Sequence, residues 1–170
     1  MMGQYSKIVA AGFCTTFVTS YIHALMVTLF GFSPFGFSLY MIIPVGALFC
    51  GFAAMSGFVR TATRFDEIKR PHLNIIAAMY CASFFGLFLI YFLEYAGAFI
   101  PGRSLWPIMS FWDYLSYTLL NADIVMRGRS FAGESGGEIA LLSFTQIVGF
   151  LIVPAVAYRS LPSDRSFLED

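Results

Sequence analysis

Between Lys7 and Arg60 the chain runs for 52 residues, Ile8 to Val59, without one Asp, Glu, Lys or Arg. A surface that meets water needs charge at short intervals, and soluble domains carry roughly 25% charged residues. Such a run does not wrap a soluble core. A helix needs roughly 20 apolar residues to cross ~30 Å of hydrocarbon at about 1.5 Å per residue, so the run holds two crossings, residues 8–30 and 37–59. Gly31-Phe32-Ser33-Pro34-Phe35-Gly36 separates them, and glycine, serine and proline are the residues of a tight turn. Two further charge-free gaps, 23 residues from Pro71 to Leu93 and 20 from Ile139 to Tyr158, hold one crossing each, near 73–95 and 139–158. Backbone in lipid must bond to itself, which leaves helix as the form for so few segments. The expected fold is an all-α integral membrane protein, a four-transmembrane-helix bundle with residues 1–170 in a single membrane domain.

Composition sharpens the exclusions. The chain is 58% hydrophobic, 18% aromatic and 12% charged, with ten basic and ten acidic residues. That rules out an ordinary soluble domain, a disordered tail and a coiled coil. Balanced charge leaves no field to recruit nucleic acid. Four crossings put both termini and the middle loop on one side, together with Lys7, Arg60, Arg64, Lys69, Arg70, Arg159 and Arg165. The other side holds Arg103, Arg127 and Arg129. Basic residues collect on the cytoplasmic side, so the expected location is the bacterial inner (cytoplasmic) membrane with both termini cytoplasmic. The first apolar run is longer than a signal core and lacks a clear small-x-small site, which reads as an uncleaved anchor. Neither end carries a lipidation box. Cys14, Cys50 and Cys81 fall inside spans with no CxxC or Cys–His spacing, and are expected to act as small apolar side chains. No metal or cofactor ligand set is recognisable.

Residues 96–138 form the one long loop. Ser110 and Asp113 stand as an N-cap and its partner three residues on. From there Phe111, Trp112, Leu115, Leu119, Ala122 and Met126 recur at steps of three and four. The spacing predicts an interfacial amphipathic helix near 110–126, lying in the headgroups or roofing the bundle. Trp106 and Trp112 both belong to this stretch, where an indole finds apolar and wet surroundings together. Arg127 and Arg129 follow as possible lipid-phosphate contacts, with interfacial snorkelling as the plainer role. Gly133-Glu134-Ser135-Gly136-Gly137 matches a nucleophile elbow by letter. That motif needs a strand before the serine and a histidine after it, and both histidines, His23 and His72, precede Ser135. A glycine-rich linker opening a helix, with Glu138 near its positive end, accounts for the same letters.

Polar residues inside the slab need partners. The first span carries Gly12, Thr16, Ser20, Ala24 and Thr28 at intervals of four, with Thr15, Thr19 and His23 beside them. The second has Ala47 and Gly51, then Ala53 and Gly57. Such rows let backbones approach and hydrogen-bond across the contact. They are expected to pack helices within this bundle or between copies, or else to line a pore. His23 and Gln146 stand at similar depth and are expected to meet, directly or through one water. Glu94, among Tyr91 and Tyr95, is expected to mark the outer boundary of the third span. Pro44 and Pro154 are expected to kink the second and fourth. The cytoplasmic loop from Arg60 to His72 has a basic excess suited to anionic headgroups.

The leading functional expectation is a non-catalytic polytopic subunit, not an enzyme, that forms a homo-oligomer or joins a larger membrane complex. Membrane lipids are its surroundings and nucleic acid is not a partner. The alternative is an oligomeric channel lined by the Thr/Ser/His face of the first span. A third is an enzyme acting on lipid, for which Ser135, Arg127, Arg129 and Glu94 are the available groups.

Overall fold

The computed structural model describes residues 2–30, 34, 43–64, 73–97, 105, 108–121, 125–126, 129–130 and 136–161; of these, side chains at 2, 73, 119–121, 125–126, 129–130 and 136–143 are left undescribed. Among the described residues five α-helices follow in order: α1 Met2–Phe30, α2 Val45–Ala62, α3 Leu73–Ala96, α4 Phe111–Asn121 and α5 Gly136–Arg159. A two-residue antiparallel ladder, β1 Val125–Met126 with β2 Arg129–Ser130, lies between α4 and α5.

Among the described residues, three helices are long and apolar enough to cross a membrane: Gly3–Phe30, Val45–Ala62 and Asn74–Ala96. The apolar stretch described within α5, Phe144–Arg159, is shorter. The α1 helix begins at Met2 instead of near residue 8, since nothing in Gly3 to Lys7 breaks a helix and Ser6 Oγ bonds back to the Gly3 carbonyl at 3.1 Å. The start of the second span is also corrected. Residues 37–42 lie outside the described residues, and α2 begins at Val45. Pro44 therefore precedes the helix and does not kink it. Its ψ of 66° is not helical, and its carbonyl accepts the first-turn bond from Leu48 N at 3.0 Å. A residue without an N–H suits that boundary, where no intrahelical acceptor exists. Pro154 does sit inside α5. The α3 helix stops at Ala96 because Gly97 turns left-handed, with φ 59°, and its N–H returns to Glu94 O at 3.1 Å.

The four long helices stand as a square. The α1 helix packs against α2 and α3, and α5 packs against the same two, while no backbone contact joins α1 to α5 among the described residues. Without a hydrophobic drive in lipid, helices associate by close packing and interhelical hydrogen bonds. The core shows this. Phe58 and Phe150 are fully buried, with Ala47, Ala54, Met79 and Val153 around them. Outward, each helix shows apolar side chains, from Phe49 at 73% exposure on α2 to Phe144 at 63% on α5.

Glycines set the spacing where helices touch. A Cβ at Gly12 would run into the Phe58 ring, and one at Gly57 into the Ala11 carbonyl. At Gly51 it would lie 2.7 Å from Val153 Cγ2, and at Gly86 2.8 Å from Thr16 Cγ2. The pairs Ala11–Gly57 and Thr15–Ala54 run in opposite senses, so α1 and α2 are antiparallel. Gly149 meets Pro44 and Gly51 meets Val153, so α2 and α5 run parallel.

Candidate functional site

The polar row of α1 is the first candidate, and it faces the inside of its own bundle. Thr16, Ser20, His23 and Ala24 are all buried, Gly12 with them, while Thr19 and Thr28 are half-buried. A hydroxyl in a helix can satisfy itself on the preceding turn, and several here do. Thr16 Oγ1 donates to Gly12 O at 2.9 Å, Thr19 to Thr15 O at 2.8 Å and Thr28 to Ala24 O at 2.7 Å. Others reach across. Thr15 Oγ1 donates to Ala54 O on α2 at 2.7 Å and accepts from Gly57 N at 3.2 Å. Ser20 Oγ donates to Gly86 O on α3 at 3.1 Å. The row is thus a seam against α2 on one side and α3 on the other. On α2, Ala47, Gly51 and Gly57 are buried and Ala53 half-buried.

His23 and Gln146 stand on diagonal helices. Gln146 is half-buried on α5, and no backbone pair of α1 and α5 comes within 8 Å among the described residues. Contact between the two would have to cross the bundle interior. Sequence spacing gave depth along the axis but not which corner each helix takes. It also left Gly86 and Ser83 unremarked. Ser83 is 1% exposed, and its Oγ has no hydrogen-bond partner among the described residues. The signal for Gly86 was visible: a lone glycine in a span marks close helix approach.

The second candidate lies where α4 meets the end of α3. Ser110 caps α4 as expected: Asp113 N donates to Ser110 Oγ at 3.2 Å, and Ser110 Oγ donates to Asp113 Oδ2 at 2.6 Å. The helix ends at Asn121 and not near 126. Val125 and Met126 are extended and paired with Arg129 and Ser130, and apolar spacing alone does not distinguish such residues from another helical turn. Phe111 sets its ring against three aromatic side chains of α3, with centroids 5.2 Å from Phe88, 5.9 Å from Phe92 and 5.6 Å from Tyr95. Tyr95 OH donates to Met109 O at 2.7 Å. Tyr114 OH donates to Glu94 Oε2 at 3.2 Å. Burial, aided by the Glu94 carboxylate, pushes the Tyr114 phenol well above its ordinary range. Glu94 is half-buried. It marks the end of α3 and is also the acceptor that receives α4. Trp112, at 68% exposure, sets its ring edge-on to Phe111 at 5.5 Å, on the outer side of this contact.

Chemistry elsewhere is sparse. No three of His, Cys, Asp and Glu gather to hold a metal ion among the described residues. Cys14 and Cys81 are exposed and Cys50 is buried, all as free thiols. Trp106, Arg127 and Ser135 lie outside the described residues, and for Arg129 and Glu138 only the backbone is described. No protein family, curated protein or solved structure matches the chain.

Proposed function

We propose that the chain is a non-catalytic polytopic membrane subunit, a four-span bundle whose outward aromatic faces assemble with further copies or with a larger complex. The cytoplasmic membrane is its location, with both termini on the cytoplasmic side. One observation carries the proposal: the polar and small side chains of α1 are consumed inside the bundle, while the outward face of α1 and α3 is aromatic. Phe17 stacks on Tyr21 at 6.4 Å and Phe88 on Phe92 at 5.8 Å, all four exposed. Phe13 and Phe85, at 6.1 Å, join the two helices into one face. The small-residue rows are thereby spoken for within one chain, so contact between chains falls to the exposed part of these rings, of which Phe88 and Phe92 also seat Phe111 of α4. A pore lined by Thr16, Ser20 and His23 would need that row turned to an axis between copies, and its burial favours packing instead.

The α5 helix supports the fourth crossing through its buried contacts with α2, Gly51 on Val153 and Gly149 on Pro44. Its 24 residues reach about 36 Å. The test is the mass of the intact particle in a mild detergent. A multiple of 18.9 kDa, or a stoichiometric second protein, supports the proposal. A lone chain under conditions that keep membrane complexes together contradicts it.

A further inference from the structure

The described Lys and Arg side chains lie on α1, α2 and α5 and in the turn after α2, all toward one end of the bundle. Ala11 meets Gly57, which fixes a common height for α1 and α2. Lys7 stands four residues before Ala11 and Arg60 three after Gly57; with antiparallel helices these are about 6 Å and 4.5 Å in the same direction. Gly51 meets Val153, and α2 and α5 run parallel, so Arg159, six residues beyond Val153, comes level with Gly57. Arg64 follows in the turn after α2. All four lie within about 10 Å of depth, and all four are exposed. The described acidic side chains, Glu94 and Asp113, belong instead to the last turn of α3 and to α4.

We propose that Lys7, Arg60, Arg64 and Arg159 form a ring that binds the headgroups of anionic phospholipids around one end of the bundle. A bilayer of about 40–45 Å with a ~30 Å core leaves a headgroup layer of about 5–8 Å on each face, and lysine and arginine stems bridge the remaining few ångströms by snorkelling. Single basic residues on separate helix ends cannot enclose one small anion, but they suit a layer of phosphates spread around a perimeter. The inference rests on the membrane-spanning role proposed above.

The full chain in a mild non-ionic detergent is titrated with dioleoyl-phosphatidylglycerol and, separately, dioleoyl-phosphatidylcholine, with bound lipid counted by native mass spectrometry. The anionic lipid is expected to bind more tightly. Its preference should fall about fivefold for each of K7Q, R60Q, R64Q and R159Q, and fall again in high salt. D113N should leave it unchanged. Equal binding of the two lipids, or a preference kept by the quadruple variant, overturns the inference. Displacement of phosphatidylglycerol by millimolar inorganic phosphate also overturns it, assigning the residues to soluble anions. Should the quadruple variant lose helicity, the four single variants decide. A chain that alkaline carbonate strips from membranes contradicts the membrane role itself; one that resists carbonate yet shows no lipid preference contradicts this inference alone.

Discussion

Thr15 and Ser83 make opposite demands on the bundle. Thr15 joins α1 to α2 through Ala54 O and Gly57 N, whereas Ser83 Oγ is buried with no partner among the described residues. Interhelical hydrogen bonds in membranes average about 0.6 kcal/mol and reach about 1.7 kcal/mol. Thr15→Val should therefore destabilise by about 1 kcal/mol, measured by reversible unfolding in mixed micelles. Ser83→Ala should cost nothing, or stabilise, because it removes a desolvated hydroxyl with no bond to lose. A large loss at Ser83 would show that its hydroxyl is satisfied by something outside the described residues. That the α1 row holds hydroxyls was legible from Gly12, Thr16 and Ser20 at intervals of four. Their acceptors were not, because Ala54 and Gly86 contribute carbonyls, which every residue has.

Between elements, contact distance and docking are the terms that matter. A Cβ at Gly57 would strike the Ala11 carbonyl, and backbone cannot rotate away as a flexible side chain can. Gly57→Ala should push α1 from α2 and cost about 1–3 kcal/mol, as overpacking does. Gly3→Ala, with nothing within 4 Å, is the matched control and should stabilise by up to about 1 kcal/mol. A second prediction concerns α4. Its seat is Phe111 among Phe88, Phe92 and Tyr95, with the Tyr114–Glu94 bond beside it. An aromatic pair adds about 0.5–1.5 kcal/mol beyond burial, so Phe111→Ala should raise amide exchange across α4 roughly tenfold or more. Tyr114→Phe should raise it less, and protection in α1 should not change in either. The N-terminus of α4 was readable because Ser110 and Asp113 make a local cap. Its C-terminus was not, since Val125 and Met126 extend the apolar spacing into a strand. Pro44 misled for a similar reason: hydropathy runs on through it, although the helix starts only after it.

At the scale of the whole molecule, the charge-free runs located the helices of the described spans, while the square arrangement came from pairings that hydropathy does not encode. His23 and Gln146 share a depth, yet α1 and α5 take opposite corners, because Gly12 and Gly57 commit α1 to α2 and Gly51 and Gly149 commit α5 to α2. The polar row of α1 and the small-residue row of α2 are closed within one chain, and the outward surface left among the described residues is rich in aromatic side chains, with Val18, Ile22, Ile152 and Val156 beside them. All of this requires α5 to complete the square by crossing the bilayer beside the other three. Reporters active on only one side of the membrane, fused after Asp170 and inserted separately in the 65–70 and 131–135 segments, test that directly. The carboxyl terminus and 65–70 should report the cytoplasmic side and 131–135 the opposite one; a carboxyl terminus on the same side as 131–135 would remove the fourth crossing and the bundle built on it.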